Sequence, residues 1–487
     1  MSDTLSQLIA AAFGMPLTPS QQSAIKEFDA FFESQDSMSA FILRGYAGTG
    51  KTTLMGSLVK VFKSLGLPIV LLAPTGRAAK VLSFHAGQMA YTIHKVIYRQ
   101  ETYNGENTRF SLGFNKLRNA LFVVDEASML QMGGMGETSI FGSGMVMDDL
   151  VKFVYGGEGC RLMLIGDDAQ LPPVGETESP ALNGRVVGAY GLRIFETTLT
   201  DVVRQDAASG VLSNATLIRR MIQTFTQQAP IITGSRNGEV QFVDGNDLVE
   251  ALNAAYNDYG VDETIVITRS NKRANLYNEG IRRMIFDREE PICRYDHIMV
   301  VKNNYFWTEQ LAKTLPKGET LPFDFIANGD TARVVRIGNF HEAHGFHFAD
   351  AVLEFPDYDD YTIECRVMTE TLFSESPSLT AEESHRLYES VLSDYADIPN
   401  KKERMKQLRE DRYFNALQIK HAYAVTCHKA QGGQWSQVFV DQGYITPEML
   451  DISYLRWLYT AFTRTTQHVY LVNWPREQRI LETPAEE

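Results

Sequence analysis

The stretch Phe41–Phe62 reads FILRGYAGTGKTTLMGSLVKVF, and it decides the fold. A short apolar run ends in glycine, a glycine-rich turn follows, and apolar residues then recur at helical spacing. Gly45-Tyr46-Ala47-Gly48-Thr49-Gly50-Lys51-Thr52 is a complete GxxxxGK[ST] phosphate loop, set between strand and helix as that motif requires. Its glycines let backbone N–H groups turn inward at a helix N-terminus, where unpaired donors and the helix dipole favour a phosphate. Lys51 then reaches the β- and γ-phosphate oxygens, and the Thr52 hydroxyl can ligate Mg²⁺. Gly45, Ala47, Gly48, Thr49, Gly50, Lys51, Thr52 and Thr53 are the expected nucleotide contacts, with ATP and Mg²⁺ as the expected cofactors.

Working outward, IVLLAP (69–74), ALFVVDE (120–126) and RLMLIGDD (161–168) are equally short apolar runs closed by Pro or acidic residues. Runs of this kind suit parallel strands buried on both faces. A second set follows in TIVITRS (264–270), HAYAVT (421–426), QVFVD (437–441) and HVYLV (468–472). The chain therefore reads as α/β, with two parallel-sheet units. Residues 98–118 carry Asn104-Gly105, a favoured hairpin turn, and read as a β-hairpin inserted in the first unit. HIMVVKNN, TARVVRIGNF, HFADAVLEF and YTIECRVM, within 288–370, read as a small antiparallel barrel inserted in the second. The polar stretch 378–412 reads as a helical connector, and the glycine-rich 131–145 as a mobile loop. The expected division is 1–97 plus 119–198 for the first unit and 98–118 for the hairpin. The second unit takes 199–287 plus 413–487, and the barrel with its connector 288–412.

At 487 residues the chain is too long for one ordinary domain, and 44% hydrophobic residues can build real cores. No apolar run reaches the roughly 18–20 residues of a membrane span, and the N-terminus lacks a basic signal region. Cysteines at 160, 293, 365 and 427 are scattered, which excludes a disulfide framework or zinc ribbon and fits a reducing cytoplasm. The net charge of −14, taken alone, argues against a surface coated in phosphate contacts.

Asp125-Glu126 closes the strand LFVV. Asp125 is placed to hold Mg²⁺ through water, and Glu126 to orient or deprotonate an attacking water, so nucleotide hydrolysis is the expected chemistry.

Seven further segments accompany the phosphate loop in a fixed order: LTPSQQSAI (17–25), APTGRAA (73–79), YTIHKVI (91–97), GDDAQLPPVG (166–175), LTDVVRQ (199–205), AVTCHKAQGGQW (424–435) and LYTAFTRT (458–465). As a set they resemble the motifs of the superfamily 1 helicases, and within them the RecD-like and phage Dda-like branch. One departure is Glu176-Thr177 after GDDAQLPPVG, which resembles motif III, where relatives often carry a second glycine. The resemblance implies two RecA-like lobes with ATP between them. It implies that Gln21 reads adenine, that Gln170 senses the γ-phosphate, and that Arg204 and Arg464 are arginine fingers reaching across the cleft. The implied catalytic set is thus Lys51, Thr52, Asp125, Glu126, Gln170, Arg204 and Arg464, with Thr52 and Asp125 on the metal. Thr75, His94, Thr426, His428 and Lys429 are implied to line a groove that grips nucleic-acid phosphates.

The hairpin resembles the strand-separating 1B pin of that branch, and the barrel its SH3-like 2B domain. Tyr103, Phe110 and Phe114 are candidates either to stack on bases or to pack against the barrel. The resemblance implies an ATP-dependent DNA helicase moving 5′ to 3′ on single-stranded DNA, acting at forks as a monomer, with replication or recombination proteins as candidate partners. The rivals are a DNA-stimulated translocase that separates no strands, and a phosphate-loop enzyme acting on a small molecule, against which GDDAQLPPVG, AVTCHKAQGGQW and LYTAFTRT, resembling motifs III, V and VI, speak. The acidic balance is reconciled if a few groove groups do the gripping, because a motor must release its track in each cycle. The excess acid, as in 27–36 and 356–361, is then expected on faces away from DNA.

Overall fold

The computed structural model describes residues 4–101, 109–132, 143–202, 209–316, 321–323 and 325–482. Six parallel strands form the first sheet, in the order Ala90–Thr92, Ile69–Ala73, Leu121–Val124, Arg161–Gly166, Ser39–Gly45 and Arg193–Leu199. The continuous apolar runs arise because both faces are covered. Phe41 and Leu43 pack with Phe28, Phe31 and Phe62 from the helices Pro19–Glu33 and Lys51–Ser64, while Ala40 and Ile42 point oppositely, toward Met147, Leu150 and Phe153 of Val146–Tyr155. That alternation is the period of two that a strand imposes.

The second sheet has five parallel strands, ordered Val240–Val243, Thr465–Val472, Trp435–Asp441, Thr264–Thr268 and Ala424–Thr426. Its core cluster takes in Tyr46, Ala169 and Leu171 of the first unit, so apolar packing runs across the cleft between the sheets. The expectation of two parallel-sheet units is met.

The barrel is closed by five strands: His297–Val300, Thr331–Ala343, Phe346–Phe355, Tyr361–Met368 and Leu417–His421. It is not wholly antiparallel, because Tyr361–Met368 pairs in parallel with Leu417–His421 through Val367 and Leu417. A parallel pair needs a long crossover, and the helices Ala381–Asp394 and Lys401–Glu410 supply it. The run HAYAVT is correspondingly not one strand. His421 ends the barrel's closing strand opposite Ile298, whereas Ala424–Thr426 belongs to the second sheet. That closing strand lies beyond residue 412.

Tyr98–Glu101 and Arg109–Leu112 pair antiparallel as a hairpin, whose turn Asn104-Gly105 lies outside the described residues, as does most of the glycine-rich 131–145. Among the described residues no helix is long and apolar enough to cross a membrane, and all four cysteines are free thiols.

Candidate active site and nucleic-acid groove

The phosphate loop leaves the strand Ser39–Gly45 and enters the helix Lys51–Ser64. Gly48 and Gly50 hold φ of +73° and +81°, a left-handed conformation that only glycine adopts freely. A Cβ on Gly45 would meet Lys51 Cγ at 2.8 Å, so the lysine stem lies directly over this residue. Lys51 Nζ donates to Gly45 O at 2.5 Å and to Tyr46 O at 3.1 Å, and the Thr49 hydroxyl to Tyr46 O at 2.8 Å. Thr52 is half-buried at the first helical turn, and Thr53 is exposed. Gln21 is wholly buried with its amide engaged twice. Oε1 accepts from Thr18 N–H at 3.0 Å as a helix cap, and Nε2 donates to Thr49 O at 3.0 Å. Gln21 in this arrangement braces the phosphate loop.

Asp125 follows the fully buried strand Leu121–Val124, and its Oδ1 accepts from Glu126 N–H at 3.0 Å. Burial and the neighbouring Glu126 carboxylate push the Asp125 carboxyl up to about 6, while Lys51 pulls it down. Asp167, also buried, is pushed up to about 6 by burial against the pull of Lys51 and of the Tyr459 hydroxyl. Lys51 therefore shares one electrostatic neighbourhood with both carboxylates. Glu126 has φ of +52°, a left-handed backbone that costs a non-glycine residue about 1 kcal/mol or more and recurs at functional sites. From there Glu126 Oε1 lies 3.9 Å from Arg464 Nη1, which belongs to the second unit. Arg464 is almost fully buried; Nε donates to Thr460 O at 3.2 Å, Nη1 to Gly433 O at 3.3 Å and Nη2 to Thr463 Oγ1 at 3.3 Å.

The residues present suit a magnesium nucleotide. Thr52 and Asp125 offer hard oxygen donors, and Mg²⁺, which keeps several waters and takes phosphate oxygens, needs few more from the protein. Gln170, whose N–H donates to Asp167 O at 3.3 Å, holds a buried Oε1 that has no hydrogen-bond partner among the described residues. A buried acceptor without a partner is costly, and this one is open to a hydrogen-bond donor.

A groove of about 730 Å³ runs between the two sheets and the barrel. Thr75, Thr426, His428 and Lys429 all line it, as do Arg77, Arg269 and Lys272, and Glu375 is the one carboxylate among the lining residues. A chain of net charge −14 thus presents a locally basic channel. Burial holds His428 below its usual range, so it is neutral, and pushes the Lys429 ammonium down to about 8. Thr75 caps the helix Gly76–Ala86 by accepting from Ala78 N–H at 3.2 Å. His94 is set apart from this group. Its ring lies 5.5 Å from Tyr98 and 5.9 Å from Phe325, burial pushes it down to about 4, and it does not line the groove.

Arg204 and Tyr103 lie outside the described residues, and so does the side chain of Phe110. Phe114 is 77% exposed. The acidic run 356–361 is not remote from the groove. Its Pro356 carbonyl accepts from Lys80, and the Tyr358 hydroxyl abuts Gly76, both on the helix that Thr75 caps. The residue pair that sequence reading overlooks is Arg77 and Trp435. The guanidinium lies 4.1 Å over the indole ring and donates to Gln434 O at 3.0 Å, linking the two sheets beside the groove. Both residues stand inside quoted motifs, but nothing local reveals that they meet.

Residues 16–221 match the AAA domain family, and residues 421–472 match the UvrD-like helicase C-terminal domain. The chain is 34% identical over 177 residues to the ATP-dependent RecD2 DNA helicase of Deinococcus radiodurans, covering 36% of this chain and 21% of that protein. It thus spans about a fifth of that relative's length. It is 23% identical over 470 residues to the ATP-dependent DNA helicase dda of Enterobacteria phage T4, covering 88% of this chain and 93% of that protein. Among solved structures, a Pif1 helicase from Bacteroides in complex with ADP-AlF3 and ssDNA aligns over 96% of this chain and 95% of that one, with 15% identity and a TM-score of 0.46.

Proposed function

We propose, from its resemblance to the RecD-like and phage Dda-like branch of the superfamily 1 helicases, that this chain is an ATP-dependent DNA helicase. It translocates 5′ to 3′ on single-stranded DNA and opens forks. The observation that carries the reading is the approach of Arg464 in the second lobe to Glu126 in the first, 3.9 Å apart across a cleft that adjoins a basic groove lined by both lobes.

In this reading Lys51, with the loop amides, binds the triphosphate. Glu126 orients the attacking water and accepts its proton, and Arg464 stabilises charge developing on the γ-phosphate. Thr52 and Asp125 would hold Mg²⁺, which would supply charge neutralisation for the transferred phosphoryl group. Gln170 senses the γ-phosphate, and Arg204 is a second arginine finger. Closing the cleft brings Arg464 in, and opening it withdraws Arg464, so nucleotide turnover alternates the grip of the two lobes. Thr75, Thr426, His428 and Lys429 hold phosphates without reading bases, and His94, neutral and packed, supports the fold away from the groove. The hairpin 98–118 acts as the pin, with the exposed Phe114 offering a stacking face, and the barrel acts as the 2B domain beside it. The protein works as a monomer at single-stranded DNA and forks, alongside replication or recombination proteins.

The test is ATP-dependent strand separation on duplexes with a 5′ or a 3′ single-stranded tail, with Lys51→Ala as control. Unwinding from the 5′ tail alone, lost in the variant, is expected. DNA-stimulated hydrolysis without strand separation on either substrate would replace the helicase by a translocase.

A further inference from the structure

The helix Ile452–Phe462 leads into Arg464, yet its firmest hold on the first lobe lies within the helix, at Tyr459. Tyr459 is 1% exposed, and its hydroxyl makes two bonds, accepting from Ala47 N–H at 2.9 Å and donating to Asp167 Oδ2 at 2.7 Å. Ala47 is part of the phosphate loop. Asp167 follows the strand Arg161–Gly166, and its other oxygen accepts from Ala169 N–H at 3.0 Å. The next residue, Thr460, makes a separate tie, its hydroxyl accepting from Leu171 N–H at 2.8 Å, while Gln431 donates to Leu171 O at 2.7 Å. Gln170 sits between the two ties.

We propose that Tyr459 is a positioning residue for ATP hydrolysis, which sets the phosphate loop and the carboxylate of Asp167 in register with Arg464. The inference rests on the helicase reading and adds a part to it. Ala47 N–H can only donate and an ionised Asp167 can only accept, so the group between them must do both, which a hydroxyl does. The bond to Asp167 is buried, where a bond to a charged acceptor is strong and geometrically demanding, and the bond from Ala47 is part-buried. Because Tyr459 and Arg464 lie on one continuous segment, a shift of either carries the other. The phosphate loop is thereby held to the same segment that delivers the arginine. A phenylalanine at 459 would keep the ring in the core it shares with Leu455, Leu458 and Phe462 and remove only the bridge.

The experiment uses the full chain carrying Tyr459→Phe, with ATP hydrolysis measured on single-stranded DNA across a pH series. The turnover number is expected to fall about tenfold to hundredfold, the range of one lost bond to a charged group. The KM for ATP is expected to stay within about threefold, since loop and lysine still bind the triphosphate. The acid limb of the profile is expected to move to higher pH, because the tyrosine hydroxyl helps keep Asp167 ionised. Thr460→Val breaks the neighbouring tie but not the bridge, and its acid limb is expected to match wild type. Melting temperatures taken in parallel separate a positioning effect from loss of fold. An unchanged turnover number, or an acid limb that moves equally in Thr460→Val, overturns the inference while the helicase reading stands. A wild-type protein without DNA-stimulated hydrolysis overturns both.

Discussion

Arg464→Lys keeps a positive charge at the cleft and removes the planar fork. The guanidinium donates through Nε, Nη1 and Nη2 to three separate acceptors, Thr460 O, Gly433 O and Thr463 Oγ1, and its Nη1 also faces Glu126 at 3.9 Å. A lysine ammonium is a single point on a flexible stem and cannot serve acceptors spread around a fork. Losing two such bonds, at about 1.5–3 kcal/mol each for a charged donor, withdraws about 3–6 kcal/mol of positioning. An arginine finger is worth at least about a thousandfold in turnover, which is about 4 kcal/mol of activation barrier and falls inside that range. The assay is hydrolysis on single-stranded DNA at saturating ATP, beside DNA affinity from fluorescence anisotropy and a thermal melt. The expected result is a turnover number down about a thousandfold, with KM for ATP and Kd for DNA within about threefold. A variant that turns over within about tenfold of wild type would refute the requirement for the planar fork, because charge alone would then suffice.

With Asp125 raised to about 6 by burial and by Glu126, protons compete with Mg²⁺ in an unusual range. The ionised carboxylate that the metal needs is fully present above that value and lost below it, so apparent Mg²⁺ affinity should fall by up to about tenfold per pH unit on the acid side. Magnesium titrations of the hydrolysis rate between about pH 5 and 8 test this, and a flat response would sink it. Trp435→Ala removes the ring beneath Arg77 and is expected to weaken single-stranded DNA binding by about 1–2 kcal/mol, while the salt dependence, set by phosphate contacts, stays as it was. An unaltered Kd would show that the pair plays no part in binding. Asp296 is wholly buried and accepts from Arg288 at 2.6 Å, Cys293 N–H at 2.7 Å, Tyr423 at 2.9 Å and Arg282 at 3.2 Å. Asp296→Ala should therefore cost about 3–5 kcal/mol by stranding buried guanidinium charge, and an unchanged melting temperature would contradict that.

Several features that position the site escape a reading of the sequence. His94 stands in a motif associated with nucleic-acid contact, but its ring is packed between Tyr98 and Phe325. A histidine's surroundings are set by elements distant in the chain. The run HAYAVT looks like one apolar strand, yet it divides between barrel and sheet, because alternation cannot tell which neighbour a strand will pair with. The Pro356–Tyr358 turn reads as solvated acidic surface and instead meets the helix Gly76–Ala86.

What the sequence by itself determined is the chemistry encoded within a few residues. The phosphate loop needs its glycines, lysine and threonine at fixed spacing, Asp125-Glu126 needs only to end a buried strand, and apolar periodicity is enough to announce two parallel sheets. What only the tertiary structure decided is how those parts are held together. Tyr459 meets Ala47 across 412 positions and Asp167 across 292, and Arg77 reaches Gln434 across 357. Hydrogen bonds and ring contacts act over a few ångströms, and no local pattern records which distant residues the packing of two sheets will bring within that range.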